Sequence, residues 1–360
     1  MIIGHGGNVK ALAKRLCCPG EDIIDMSSNL NPLGPPEGFE NHLKDIIHEI
    51  RSLPEVDAMG MVKAFGKARN IDPARIAAGN GTTWFIYTLI PALASKNVLI
   101  CGPAYSDYKD ACIMHHVKHT FINANEHSLF CHDLNKVSAM ADNFDTIFIC
   151  NPNNPTGNLI SKQDLTDLIK AHPDTYFVVD ESYLPFVHNA EALSLADCTE
   201  FDNLIVLSSM SKIFRIPGLR TGFLTSAPLI VDRVMTYYQP WSVNALAQKG
   251  VIYLLGKADK NIPFIEKTRD FVKNAREHFL GKLKNTPGIQ VFQSETSFVL
   301  ARLTNKLTSD DLCNYVGNQK ILIRDCSNFD GLSNKFVRFS LKKEDLNEKL
   351  AHIIHQALAN

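Results

Sequence analysis

Leu204-Ile-Val-Leu-Ser-Ser-Met-Ser-Lys-Ile-Phe-Arg-Ile-Pro-Gly-Leu-Arg220 is the stretch on which the fold turns. Its first four residues are apolar without alternation, as in a strand covered on both faces. The run then stops at Ser208-Ser209 and reaches Lys212. Burying an ammonium is costly, so a lysine this close behind a core strand is unusual, although a lone surface lysine is the ordinary reading. The same pattern recurs upstream. Asn97–Cys101 runs into Gly102-Pro103, Thr146–Cys150 into Asn151-Pro152, and Tyr176–Val179 into Asp180-Glu181. Between these runs lie segments with helical spacing, such as Lys162–Ala171, where Leu165, Leu168 and Ile169 share a face. Strand–helix alternation of this kind predicts an α/β fold, a mostly parallel sheet flanked by helices. Ligands in such sheets bind beyond the carboxyl ends of the strands, where these loaded residues fall.

Outward from this region the texture changes. After about residue 250, helical stretches at Thr268–Leu283, Thr308–Gly317 and Lys343–Ala359 alternate with strand candidates Phe298–Leu303, Ile321–Arg324 and Phe336–Ser340. The expected organisation is an N-terminal arm over 1–45, a large domain over 46–250 and a smaller α+β domain over 251–360. Gly4, Gly6, Gly7, Pro32, Gly34, Pro35 and Pro36 predict an extended arm. The 360 residues carry 37 basic and 38 acidic side chains, which leaves no cationic excess for nucleic acid. Nine cysteines, an odd number without a Cys-x-x-Cys pair, fit neither a disulfide scaffold nor a zinc ribbon. No signal peptide or membrane span is expected, and the class that remains is a cytoplasmic enzyme.

Each loaded residue has a plain reading when taken alone. Asp180 could cap a helix, Asn151-Pro-Asn-Asn-Pro-Thr-Gly157 could be a rigid turn, and Arg220 could be a surface cation. In this order and spacing, however, they resemble the fold-type I pyridoxal 5′-phosphate enzymes, the aspartate aminotransferase superfamily. The resemblance covers essentially the whole chain. It implies that Lys212 is the amine that condenses with the cofactor aldehyde and that Asp180 pairs with the ring nitrogen. It places Tyr183 and Asn154 on the ring oxygen and Tyr105 stacked on the ring, with Tyr108 as the competing aromatic. The cofactor phosphate would rest on Gly81, Thr82 and Thr83, with Ser209, Ser211 and Arg220: backbone amides at a helix start, hydroxyls and a guanidinium suit a dianion.

Narrower motifs are His5-Gly-Gly-Asn8, Asn29-Leu-Asn-Pro-Leu-Gly34, Gln239-Pro-Trp-Ser-Val-Asn-Ala-Leu-Ala247 and Lys320–Leu332. Together they resemble the L-threonine O-3-phosphate decarboxylases of cobalamin biosynthesis, with the histidinol-phosphate aminotransferases as the neighbouring family. The implied reaction converts L-threonine O-3-phosphate to (R)-1-aminopropan-2-yl phosphate, and serine phosphate, one methyl smaller, is a second substrate to weigh. Arg324 and Arg338, on strand candidates of the small domain, would meet the substrate's anionic group together with Asn154 and with His5 and Asn31 from the arm. The bland alternatives are a rim salt bridge for Arg324, with Asp325 at hand, and a structural ion pair for Arg338.

The resemblance also implies a homodimer with shared sites. Relatives commonly place a Tyr before the Pro in the segment matching Ser52–Asp57, reaching the neighbouring subunit's cofactor phosphate. Here that position is Leu53. Two readings from other classes carry less. A cofactor-binding regulator would need a DNA-binding domain, for which no basic helix is present. A metal site at His115, His116 and His119 has no carboxylate or thiol to complete it.

Overall fold

The computed structural model describes residues 6–359. Thirteen strands occur among them. β1 (Ile24–Asp25) lies in the arm. It is followed by β2 (Ile76–Gly79), β3 (Asn97–Gly102), β4 (Lys118–Asn123), β5 (Thr146–Cys150), β6 (Tyr176–Asp180), β7 (Leu204–Ser208) and β8 (Gly222–Ser226). The C-terminal part adds β9 (Ile289–Val291), β10 (Phe298–Leu303), β11 (Ile321–Leu322), β12 (Arg324–Asp325) and β13 (Phe336–Ser340). Seven of them form one sheet in the order β2-β8-β7-β6-β5-β3-β4, in which only β8 runs antiparallel to its neighbours.

The apolar runs behave as their composition demands. Every residue of β5 is buried, and alternate side chains enter different cores. Ile147, Ile149, Val179 and Val206 face one layer, while Phe148, Val178, Ile205 and Leu207 face the other. This period of two also separates the pair that ends β6: Asp180 points to the layer of Val178 and Glu181 to that of Val179.

A four-stranded antiparallel sheet, β12-β13-β10-β9, makes up the C-terminal part. The 26-residue helix Ala258–Leu283 leads into it, starting ten residues before the predicted Thr268 and running through Pro263. In β12 and β13, Arg324 and Arg338 are direct cross-strand partners. The arm is not wholly extended as expected. Asn8 accepts from the Ala11 amide and starts a helix over Val9–Arg15, whose Leu12 and Ala13 pack on Ile23. β1 then pairs with β11 and places Met26 in the core of the small sheet. Among the described residues no helix is long and apolar enough to cross a membrane.

Candidate active site

Loops at the carboxyl ends of β5, β6 and β7 converge with the start of the helix Thr82–Ala92, the arm and the arginine strands. Asp180 is 4% exposed and is held from two sides. The Tyr108 hydroxyl donates to Oδ2 at 2.9 Å and the Ser182 amide to Oδ1 at 2.9 Å. Burial pushes its carboxyl above the usual range, while those bonds and the nearby charge of Lys212 act in the opposite direction. A carboxylate kept this dry calls for a cationic partner.

Tyr108 is thereby committed to the protein. Its ring is fully buried and stacks on Phe148 at 5.0 Å. Tyr105 is the aromatic left beside Thr83 and Tyr183, and burial raises its phenol well above the ordinary range. Tyr183 is itself fixed edge-on to Phe298 at 5.1 Å, and its hydroxyl accepts from Asn29 Nδ2 at 3.3 Å.

Behind Lys212, Ser209 and Ser211 are buried. The Ser211 amide donates to Ser209 Oγ at 3.3 Å, and the Ser211 hydroxyl donates to the Thr221 carbonyl at 3.2 Å. The helix Thr82–Ala92 opens at Gly81, which has φ +84° and no side-chain cap. A Cβ on Gly81 would lie 2.8 Å from Arg220 Nη2, and one on Gly222 would lie 2.4 Å from the Thr82 amide. The missing side chains thus leave a cradle of uncapped amides beside a guanidinium, as a phosphate dianion requires. A phosphorylated cofactor with a cationic ring nitrogen and an aldehyde would fit this donor set, its phosphate at the cradle, its nitrogen at Asp180 and its aldehyde at Lys212.

Arg338 is 5% exposed, and no carboxylate forms an ion pair with it among the described residues. Its Nη1 donates to Asn154 Oδ1 and its Nη2 to the Ser27 carbonyl at 2.8 Å, while Nε has no partner. The guanidinium lies 5.2 Å from the Phe298 ring centroid. Arg324 donates to Asn328 Oδ1 at 2.6 Å and to the Asp325 carbonyl, not to the Asp325 carboxylate. Burial, with Arg338 among the further causes, lowers its pKa. Two like charges opposite each other on paired strands repel, so the face they share is set up for an anion.

One expectation about the arm is revised. Asn31 does not face this pocket. Its Nδ2 donates to the Ile213 carbonyl at 2.7 Å and to Thr268 Oγ1 at 2.9 Å, and its Oδ1 accepts from the Leu33 amide at 2.9 Å. Its amide oxygen serves the chain turn and its amide nitrogen ties the arm to Ile213 and Thr268. Asn29, two residues earlier, takes the pocket position, bridging Tyr183 and the Ser340 hydroxyl, which donates to Oδ1 at 2.6 Å. The two asparagines share one motif, and periodicity alone gave no sign of which turned inward. His5 lies outside the described residues. The three histidines weighed for metal share no helix face: His115 contacts the Tyr87 carbonyl at 2.9 Å, His116 sits at φ 55° in the turn, and His119 lies in β4.

The profile of the aminotransferase class I and II family matches residues 21–354. The adenosylcobalamin biosynthesis bifunctional protein CobDQ of Leptospira interrogans is 32% identical over 355 residues, 96% of this chain. The chain spans 40% of the length of that relative. Two solved structures superpose equally well. The L-threonine-O-3-phosphate decarboxylase of Porphyromonas gingivalis has a TM-score of 0.86 and 31% identity, over 94% of this chain and 100% of that one. The histidinol-phosphate aminotransferase of Clostridium acetobutylicum has a TM-score of 0.86 and 28% identity, with the same coverage of both chains.

Proposed function

The chain belongs to the aminotransferase class I and II family, with pyridoxal 5′-phosphate as its cofactor, and we propose that within it the protein decarboxylates L-threonine O-3-phosphate. The observation that carries this reading is the pair of cross-strand guanidiniums, Arg324 and Arg338, beside Asn154. Such a pair suits a substrate with a dianionic side group. The motifs at His5–Asn8 and Gln239–Ala247 and the relatives with decarboxylase or cobalamin names support the choice within the family.

Bound pyridoxal phosphate supplies an aldehyde for the substrate amine and a ring that accepts the electron pair of a breaking Cα bond. The protein decides which bond that is. Arg324, Arg338 and Asn29 hold the substrate's phosphate, and His5 is assigned to the same task. Held by its phosphate on these groups, the substrate would present its bond from Cα to the carboxylate, rather than Cα–H, as the one to be broken. Asp180, its oxygens fixed by Tyr108 and Ser182, would pair with the ring nitrogen and favour its protonated form. Lys212 would hold the cofactor aldehyde and supply the proton that Cα takes up in place of carbon dioxide. Gly81, Thr82, Thr83, Ser209, Ser211 and Arg220 bind the cofactor phosphate, Asn154 and Tyr183 the ring oxygen, and Tyr105 the ring face.

Arg338→Ala removes charged hydrogen bonds worth about 1.5–3 kcal/mol each, so KM for threonine phosphate is expected to rise roughly 10- to 100-fold. Unchanged kinetics would rule out the anchoring role. One observation favours a second reading, a histidinol-phosphate-type aminotransferase. Arg338 is tied to Asn154, and a substrate whose carboxylate was held there would keep that group and leave Cα–H to break. The two readings differ in product: carbon dioxide in the first, and a new amino acid from 2-oxoglutarate in the second.

A further inference from the structure

The loop after β4, at the edge of the large sheet, sends a side chain into the core of the other sheet. Asn125 caps a short turn by accepting from the His127 amide at 2.9 Å and the Ser128 amide at 3.3 Å. The next two residues, Leu129 and Phe130, have φ 51° and 60°, left-handed values that side-chain-bearing residues rarely adopt in succession. This twist leaves Leu129 61% exposed and buries Phe130 to 1%. Phe130 enters a cluster formed by the other sheet, comprising Phe292, Leu300, Cys326, Phe329 and Phe336. Its ring meets Phe292 edge-on at 5.0 Å and Phe336 at 5.8 Å.

Polar contacts fasten the rim of this plug. Glu126 pairs with Arg302 at 3.0 Å, and Asn123 Nδ2 donates to Asp330 Oδ1 at 2.9 Å. On the other side, Asn158 Nδ2 donates to the Leu129 carbonyl at 2.8 Å, tying the loop to the turn that carries Asn154. The cluster also underlies the anion face. Arg324 lies 5.2 Å over the Phe329 ring, and Phe336 shares a strand face with Arg338 two residues on.

We propose that Phe130 is a positioning residue, which seats the Arg324–Arg338 face against Asn154 and thereby sets the affinity for the substrate's anionic group. This rests on the substrate class proposed above, but its mechanics do not. A strained turn persists only where its surroundings over-determine it, and here what it secures is contact with the other sheet. Without the ring, β12 and β13 lose their support from the large sheet, and the guanidiniums lose their register with Asn154.

The test compares Phe130→Ala, Phe130→Leu and Glu126→Gln in the cofactor-loaded enzyme. Three quantities are read: the dissociation constant for inorganic phosphate by calorimetry, KM and kcat for threonine phosphate, and amide hydrogen exchange over 324–325 and 336–340. Phe130→Ala is expected to weaken phosphate binding and raise KM about 10- to 100-fold, as a misplacement of about 1 Å does. Exchange in the two strands should speed up, while kcat and the absorbance of bound cofactor stay as in the parent. Phe130→Leu should restore most of the loss. If Phe130→Ala does not fold, Glu126→Gln carries the test, with a rise of about two- to fivefold in the same two constants. The proposal is overturned if a folded Phe130→Ala, or Glu126→Gln in its place, leaves phosphate binding, KM and exchange at parental values. It is equally overturned if kcat and cofactor retention fall as KM rises. A parent enzyme that ignores phosphate while Phe130→Ala still accelerates exchange would refute the substrate class and uphold the positioning role.

Discussion

Asp180 and Glu181 are neighbours in sequence and face opposite layers of the sheet. Asp180 is the expected partner of a ring cation; Glu181 is structural, accepting from the Ser194 hydroxyl at 2.6 Å and the Leu195 amide at 2.7 Å. Burial raises the Glu181 carboxyl from 4.5 to about 7, with Arg69 and Lys162 only partly offsetting it. Because the folded pKa lies above the unfolded one, its contribution to stability is full below about 4.5 and is lost as pH rises through about 7. Glu181→Gln removes this titration. Its Tm relative to the parent is expected to increase steadily between pH 5 and 7.5, and a pH-independent difference would contradict the burial argument. At this scale the sequence spoke clearly for residues whose chemistry is conspicuous: Lys212, Asp180 and Arg220 each stand out against their surroundings. It was silent on orientation. Tyr105 against Tyr108, and Asn29 against Asn31, differ only in which way each side chain turns, and hydrogen bonds to distant residues decide that.

Elements with two-sided burial were legible because hydrophobicity without alternation has few other readings. β5 has its predicted bounds, and β6 and β7 run one residue further than predicted. β4 was missed because Lys118–Asn123 is a half-exposed edge strand whose composition, KHTFIN, carries no such signal. β2 and β8 were also missed, since Ile76–Gly79 and Gly222–Ser226 are short segments interrupted by Gly, Ala, Thr or Ser and placed by pairing with each other and with β7. The helix at Val9–Arg15 escaped notice among glycines and prolines that predicted an extended arm. The opening of the helix Thr82–Ala92 yields a prediction of its own. Gly81→Ala forces a side chain into φ +84° and against Arg220, at a cost of about 1–3 kcal/mol for the backbone alone. Titration with pyridoxal phosphate is expected to show affinity reduced about tenfold or more with the far-ultraviolet dichroism intact. Full affinity would mean that the phosphate rests elsewhere.

For the molecule as a whole, one face stands out. Ile47, Ile50, Leu53, Val56 and Trp241 are all exposed, Leu53 by 74%, and the Trp241 amide donates to the Val56 carbonyl at 2.9 Å. Apolar patches of this kind mark contact surfaces, and this one carries the position where relatives commonly place the tyrosine that crosses between subunits. The account therefore expects a homodimer, with light scattering giving twice 40.1 kDa and Leu53→Asp shifting the protein toward monomer. A parent that is monomeric at micromolar concentration would remove that expectation. The sheet order and the pairing of the arm with β11 could not be read from local sequence, since both are settled by contacts between distant segments, such as Ile76 with Thr225 and Ile24 with Ile321.

The central claim, that an arginine-anchored phosphate directs bond breaking at Cα, is tested most directly by incubating the cofactor-loaded enzyme with threonine phosphate, serine phosphate and histidinol phosphate. Carbon dioxide and amine should be scored against amino transfer to 2-oxoglutarate. The account predicts carbon dioxide released one for one with the amino-alcohol phosphate from threonine phosphate, without any need for 2-oxoglutarate. Amino transfer that depends on 2-oxoglutarate and releases no gas would contradict it.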